Sequence, residues 1–279
     1  MSSLKHVIEN GVSLWRGGPD SGGTQPPLLF LHAGGTGADV IRRLAEPFAA
    51  GRMVVAPDFP GYGETASDPA AEAVAERVNL VRAMLQRLDG AVDIVGHSMG
   101  GFMALQAARR WPAKIGRIVA IEPVAFGAIA TGDPIDEAAL AIDQAANAAL
   151  VEAYDRGDRE RGIAAFISLW NGTPWAELPE PVRAGLLKLG PVIRREADAV
   201  SGDRTPASAY AHLGARLCVV AGETSPAPAR RIARRLHEAA AGARLVEIAG
   251  AGHMAPVTQP ALFWPVIEDF LGGGAAGDG

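Results

Sequence analysis

The chain has 279 residues, 48% of them hydrophobic, a mean hydropathy of +0.12 and a formal net charge of −5. That length suits one large domain or one domain with an insertion, and that apolar share excludes a disordered chain. With no dense block of Lys and Arg, a nucleic-acid partner is excluded, and no apolar run approaches the roughly 20 residues of a membrane helix.

In chain order, the N-terminal stretch Met1–Asn10 lacks the charged-then-apolar pattern of a leader, so a cytoplasmic protein is expected. A strand is predicted at Val12–Trp15, followed by apolar runs at Pro27–Leu31 and Met53–Pro57 that each end in a turn signal. Helical patterns cover Val40–Ala49 and Glu72–Leu88. A run at Asp93–Gly96 precedes a helix at Met99–Arg110, and Ile115–Ile121 is the next strand. The rhythm then breaks. From about Ala125 to Thr205 the patterns are helical: Pro134–Gly157, Arg159–Trp170 and Pro179–Asp198. Strand and helix alternation resumes with Leu217–Ala221, Pro226–Ala240, Arg244–Ile248 and a helix near Pro260–Leu271. Such alternation predicts an α/β fold, a mostly parallel sheet flanked by helices on both faces. The expected organisation is a core of residues 1–124 and 206–271, a helical cap of residues 125–205, and a flexible Gly/Ala tail at 272–279. The arginines at 230, 231, 234 and 235 are spaced like one solvated helix face. Cys218, the single cysteine, sits in an apolar run as a buried structural thiol.

The stretch Gly96-His97-Ser98-Met99-Gly100 carries the chemistry. It is a G-x-S-x-G pentapeptide between a strand and a helix. A serine on so sharp a turn needs glycines where neighbouring backbones crowd, and the turn exposes its hydroxyl above the sheet. The backbone N–H of Met99, at a helix N-terminus, faces a developing oxyanion. A serine hydroxyl is a weak nucleophile near neutral pH and needs a base. Among six histidines, His253 has the best context: a Gly-rich loop after the last strand. His6, His212 and His237 lie in ordinary polar surroundings, and His97 beside Ser98 packs against the sheet or lines the pocket. The histidines lack metal-site spacing, so no metal or other cofactor is called for.

These motifs resemble the α/β-hydrolase family over nearly the whole chain. Leu31-His32-Ala33-Gly34-Gly35 is similar to its oxyanion loop, with Ala33 in place of a usual glycine. Asp58-Phe59-Pro60-Gly61-Tyr62-Gly63 is similar to its D-x-P-G-x-G turn, and Gly250-Ala251-Gly252-His253 to its histidine loop. The resemblance implies a sheet of about eight strands, Ser98 as nucleophile, His253 as base and the N–H groups of Gly34 and Met99 as oxyanion hole. His32 and Asp58 are expected to serve structure.

The acid departs from the family pattern. Its usual place, in a G-x-x-D loop after the seventh strand, is occupied by Ser225, which is expected instead to cap the next helix. Glu122, at the tip of the sixth strand, is one replacement; some haloalkane dehalogenases carry their acid there. Glu223 is the alternative, and a backbone carbonyl or water orienting His253 a third. Glu122 is preferred because a glutamate ending an apolar strand needs a partner to offset its burial.

The expected activity is hydrolysis of an ester, lactone or thioester through an acyl-enzyme. A carbon–carbon bond hydrolase, a cofactor-free perhydrolase or haloperoxidase, and a non-catalytic ligand-binding protein of the same fold are the alternatives. His97, Phe166, Trp170 and Trp175 are candidate pocket residues, and the expected partner is a neutral, moderately apolar small molecule.

Overall fold

The computed structural model describes residues 3–19 and 25–272. Eight strands form one sheet: β1 (Lys5–Glu9), β2 (Val12–Gly17), β3 (Leu28–Leu31), β4 (Val54–Pro57), β5 (Val92–His97), β6 (Ile115–Ile121), β7 (Leu217–Gly222) and β8 (Arg244–Ile248). Their order is β1-β2-β4-β3-β5-β6-β7-β8. β1 and β2 pair antiparallel, β2 pairs antiparallel with β4, and the rest are parallel. The fold is thus the predicted α/β architecture with a mostly parallel sheet. β1 is an addition to the predicted elements. Its residues are largely exposed, so it carries no core signal.

The central strands bury side chains on both faces, as parallel strands covered by helices must. Leu29, Leu31 and Ile94 pack with α2 (Ala73–Arg87), α3 (Met99–Arg110) and α7 (Ala227–Ala239). Leu28, Phe30 and Val95 pack on the opposite face with α1 (Ala38–Ala45) and α8 (Trp264–Gly272). Cys218 belongs to the second layer, where burial pushes its thiol up to about 12. The predicted helix at 40–49 begins earlier and changes character: α1 ends at Ala45 and a 3-10 turn, Glu46–Ala50, follows with Pro47 in its first turn. Proline cannot donate the N–H that would continue the α-helix.

Between β6 and β7 the chain is helical and contains no strand. A short 3-10 turn, Phe126–Ile129, leads into α4 (Pro134–Asp155), α5 (Arg159–Asn171) and α6 (Glu180–Ser201). Asp133 starts α4 by accepting from the N–H groups of Ile135 and Asp136, with Pro134 beside it. Leu150, Ile163, Ile167, Leu186 and Ile193 give this cap its own small core.

Two ion-pair sets seat the cap. Arg195 and Glu196, consecutive on α6, pair with Glu76 and Arg77, consecutive on α2. At the other side Arg231 and Arg235 of α7 hold Asp136 of α4, which is fully buried. The arginine face is therefore not simply solvated. Two of its members anchor the start of the cap, and burial of Asp136 follows from that pairing. The glycine-rich tail from residue 273 lies outside the described residues.

Candidate active site

The turn between β5 and α3 is as sharp as the pentapeptide implies. Ser98 has φ +54° and ψ −112°, a conformation that a side chain rarely adopts. Glycine is required on both sides by space. A Cβ on Gly96 would lie 2.3 Å from the carbonyl oxygen of Gly100, and one on Gly100 would lie 2.1 Å from that of Leu31. The strain is held by neighbours: the Ser98 N–H donates to Ile121 O at 2.9 Å.

That bond exposes a second strained residue. His97 of β5 is in register with Ile121 of β6, so Ser98 and Glu122 follow at adjacent strand tips. Glu122 has φ +46°, and its N–H donates to Val220 O on β7 at 2.8 Å. The turn directs its carboxylate over the end of β7. There Oε1 accepts from the Gly222 N–H at 2.7 Å and from the Ser225 hydroxyl. Oε2 accepts from His253 Nδ1 at 2.6 Å, and His253 Nε2 meets Ser98 Oγ at 3.1 Å. All three residues are buried. Burial raises the Glu122 pKa, but the bonds from His253, Ser225 and Gly222 outweigh it and hold the carboxyl below its ordinary value. Held ionised, Glu122 fixes the proton on Nδ1 and leaves Nε2 free to accept from Ser98.

Ser225 therefore does not cap α7. That helix begins at Ala227 with Pro226 before it and no side-chain cap, because the Ser225 hydroxyl is drawn inward to Glu122. Glu223 is exposed and is not brought to His253. Its carboxylate accepts from the Gly250 N–H at 2.8 Å and so steadies the loop on which the histidine sits.

His32 and Asp58 pin the neighbouring loops. His32 Nδ1 donates to Ala33 O at 2.8 Å, and Nε2 accepts from the Phe59 N–H at 3.0 Å. Burial lowers its pKa to about 4, so it stays a neutral tie between two turns. Asp58 accepts from the Ser13 hydroxyl and the Ala38 N–H, both at 2.7 Å. Tyr62 adds a third tie, which the sequence did not disclose: its hydroxyl accepts from the Gly35 N–H at 2.9 Å and donates to Glu196 at 2.6 Å. The loop carrying Gly34 and Gly35 is thus linked to the cap.

A cavity of about 450 Å³ lies between the sheet edge and the cap. Ser98, His253, Gly34 and Met99 border it, and its wall is mostly apolar. Met99 opens α3, where the first N–H groups of a helix have no acceptor within it. Phe166 and Trp170 line the cavity, and the Trp170 ring also packs 4.8 Å from the His253 ring.

His97 and Trp175 do not line it. His97 points behind the site, donating from Nε2 to His253 O at 2.8 Å, and burial first, then His253, lowers its pKa to about 3. Trp175 is held away on the turn after α5: its N–H donates to Ser168 and its indole N–H to Glu160, each at 3.1 Å. Two carboxylates do face the cavity, Glu196 and Asp143. Sequence reasoning missed both, because each sits in a helix whose polar residues look like ordinary surface.

Among the described residues no helix is long and apolar enough to cross a membrane. The Alpha/beta hydrolase family model matches residues 28–266. Over 98 residues the chain is 38% identical to a pimeloyl-[acyl-carrier protein] methyl ester esterase of Aromatoleum aromaticum, covering 35% of this chain and 37% of that protein. Over 139 residues it is 33% identical to a 2-hydroxy-6-oxo-6-phenylhexa-2,4-dienoate hydrolase of Burkholderia cepacia, covering 46% of each. The chain thus spans less than half the length of these curated relatives. The solved structure of 2-hydroxy-6-oxo-6-phenylhexa-2,4-dienoate hydrolase from Rhodococcus sp. strain RHA1 is similar in fold, with a TM-score of 0.72 at 18% identity over 97% of this chain and 99% of that one. With its strand order, its elbow and the family match in agreement, this chain belongs to the alpha/beta hydrolase family.

Proposed function

We propose that this hydrolase cleaves an ester-like carboxylic bond, in an ester, lactone or thioester, through Ser98, His253 and Glu122. One observation carries the reading: the unbroken hydrogen-bond chain from Glu122 through His253 to Ser98, ending in an apolar cavity. Ser98 Oγ attacks the carbonyl carbon while His253 Nε2 takes its proton. The Gly34 and Met99 N–H groups hold the resulting oxyanion. Collapse of the tetrahedral intermediate breaks the bond to the leaving group, which takes the proton from His253. Water, deprotonated by His253, then releases the acid and restores the Ser98 hydroxyl. The cap of residues 125–205 closes the cavity over a core of residues 1–124 and 206–271 and shapes a small, largely apolar substrate.

A panel of activated esters, with an active-site serine probe on wild type and Ser98→Ala, tests this. Turnover and labelling at the Ser98 peptide are expected in wild type and neither in the variant. Labelling that persists in Ser98→Ala, in a folded protein, overturns it. A second reading on the same residues is carbon–carbon bond hydrolysis. It is favoured by likeness to the dienoate hydrolases in both sequence and fold. Faster turnover of a 2-hydroxy-6-oxo-dienoate than of every ester would select it.

A further inference from the structure

Asp143 is the one residue of α4 that faces the catalytic cavity, and its surroundings differ from those of the other carboxylate there. It is 2% exposed. Its partner is the Ser201 hydroxyl, which donates to Oδ2 at 2.8 Å, and no cation pairs with it among the described residues. Glu196, the other carboxylate on the wall, is by contrast saturated by Tyr62 and the Arg77 guanidinium. A carboxylate with one neutral donor in an apolar wall is costly to keep. A tie between α4 and α6 does not need it, since an asparagine would accept from Ser201 equally well. What a carboxylate adds is the capacity to accept a further hydrogen bond at a point where the cavity opens onto it.

We propose that Asp143 is a substrate-recognition residue, selecting carbonyl substrates that carry an N–H or O–H donor on the portion lying under the cap. A protonated amine fits best, because it supplies charge as well as a donor. A mostly apolar wall then reads one polar feature of the substrate, as binding cavities commonly do. The proposal rests on the reading of this cavity as the hydrolase site, and it revises the expected neutral substrate.

The test uses Ser98→Ala protein, so that binding is measured without turnover, in the presence or absence of Asp143→Asn. The probes are methyl esters of straight-chain acids of graded length ending in a methyl, hydroxyl or ammonium group, and calorimetry reads their affinities. The quantity of interest is the ratio of donor-ended to methyl-ended affinity. With Asp143 present the ratio is expected to be about tenfold or more, larger for ammonium than for hydroxyl, and close to one in Asp143→Asn. Ser201→Ala, which breaks the tie but keeps the carboxylate, is expected to retain the preference. A ratio near one with Asp143 present, a preference that survives Asp143→Asn, or loss of preference in Ser201→Ala each overturns the proposal. Wild-type kinetics on the same esters separate the two claims. A preserved binding preference without hydrolysis sinks the ester reading alone, and hydrolysis without the preference sinks the Asp143 reading alone.

Discussion

Glu122 at the sheet edge and Asp143 in the cap are buried almost equally, at 1% and 2% exposure, and burial presses on both in the same direction. They end on opposite sides of their ordinary pKa values. Glu122 is lowered, because an imidazole, a hydroxyl and a backbone N–H all donate to it. Asp143 is raised from 3.8 to about 6, because burial is opposed only by the Ser201 hydroxyl. The difference lies in preorganisation. Strand tips in fixed register deliver three donors to one carboxylate, whereas two cap helices deliver one to the other. The sheet edge is finished before a substrate arrives, and the cap wall is not.

The comparison is broken most severely at the sheet edge. Glu122→Gln is expected to lower kcat by about 10⁴-fold with the fold intact, by analogy with loss of a triad aspartate. Glu223→Gln should stay within a few-fold, and ester kinetics with circular dichroism check both. An inactive Glu223→Gln beside an active Glu122→Gln would reassign the acid.

The cap carboxylate should also show an effect in stability, apart from any substrate. Below about pH 4 Asp143 is protonated in folded and unfolded chains alike. Between about pH 4 and pH 6 the folded chain keeps a proton that the unfolded chain has lost, so stability falls as pH rises, and the full penalty of up to about 3 kcal/mol remains above pH 6. Asp143→Asn removes that penalty. Its Tm should exceed wild type at pH 8 and converge with it at pH 4, as thermal denaturation across that range would report.

Tyr62→Phe frees the Gly35 N–H and takes a donor from Glu196, loosening the Gly34–Gly35 loop and the cap seat together. A loss of about 1–2 kcal/mol, seen in kcat more than in KM, is expected from one buried hydrogen-bond pair. A change confined to KM would place the tyrosine in ground-state binding instead. The smallest effect belongs to Ser225→Ala. Glu122 would lose one donor at a cost of about 1 kcal/mol, and its carboxyl would titrate higher. Because a lowered carboxylate pKa stabilises the fold above the ordinary value and the contribution is lost as pH falls, the acid limb of the pH–rate and pH–stability profiles should move upward. An unmoved limb would mean that His253 and Gly222 alone hold Glu122 down.

What was legible in the sequence follows the same division. The elbow is visible because Gly96 and Gly100 are demanded by backbone contacts that admit no other residue. Glu122 is legible as a charge ending an apolar strand, and the register of Ile121 with His97 explains why it reaches His253 beside Ser98. β1 escaped because an exposed edge strand carries no apolar alternation. Asp143, Glu196 and Arg77 escaped because helix periodicity does not tell a polar residue facing solvent from one facing a cavity or another domain's ion pair. Trp175 was overread for the same reason: closeness in sequence to Trp170 did not specify which side of the turn it occupies.

Cys218 has a practical consequence. Thiol reagents attack the thiolate, and this thiol is both enclosed by the second core layer and raised to about 12. Nature has supplied a background that is silent toward maleimides. Val182, at the rim of the cavity on α6 and 45% exposed, is open to exchange for cysteine. A fluorophore attached there would be the one fast-labelling position in this sequence, turning the arrival of a ligand at the cavity rim into a signal that can be followed in real time.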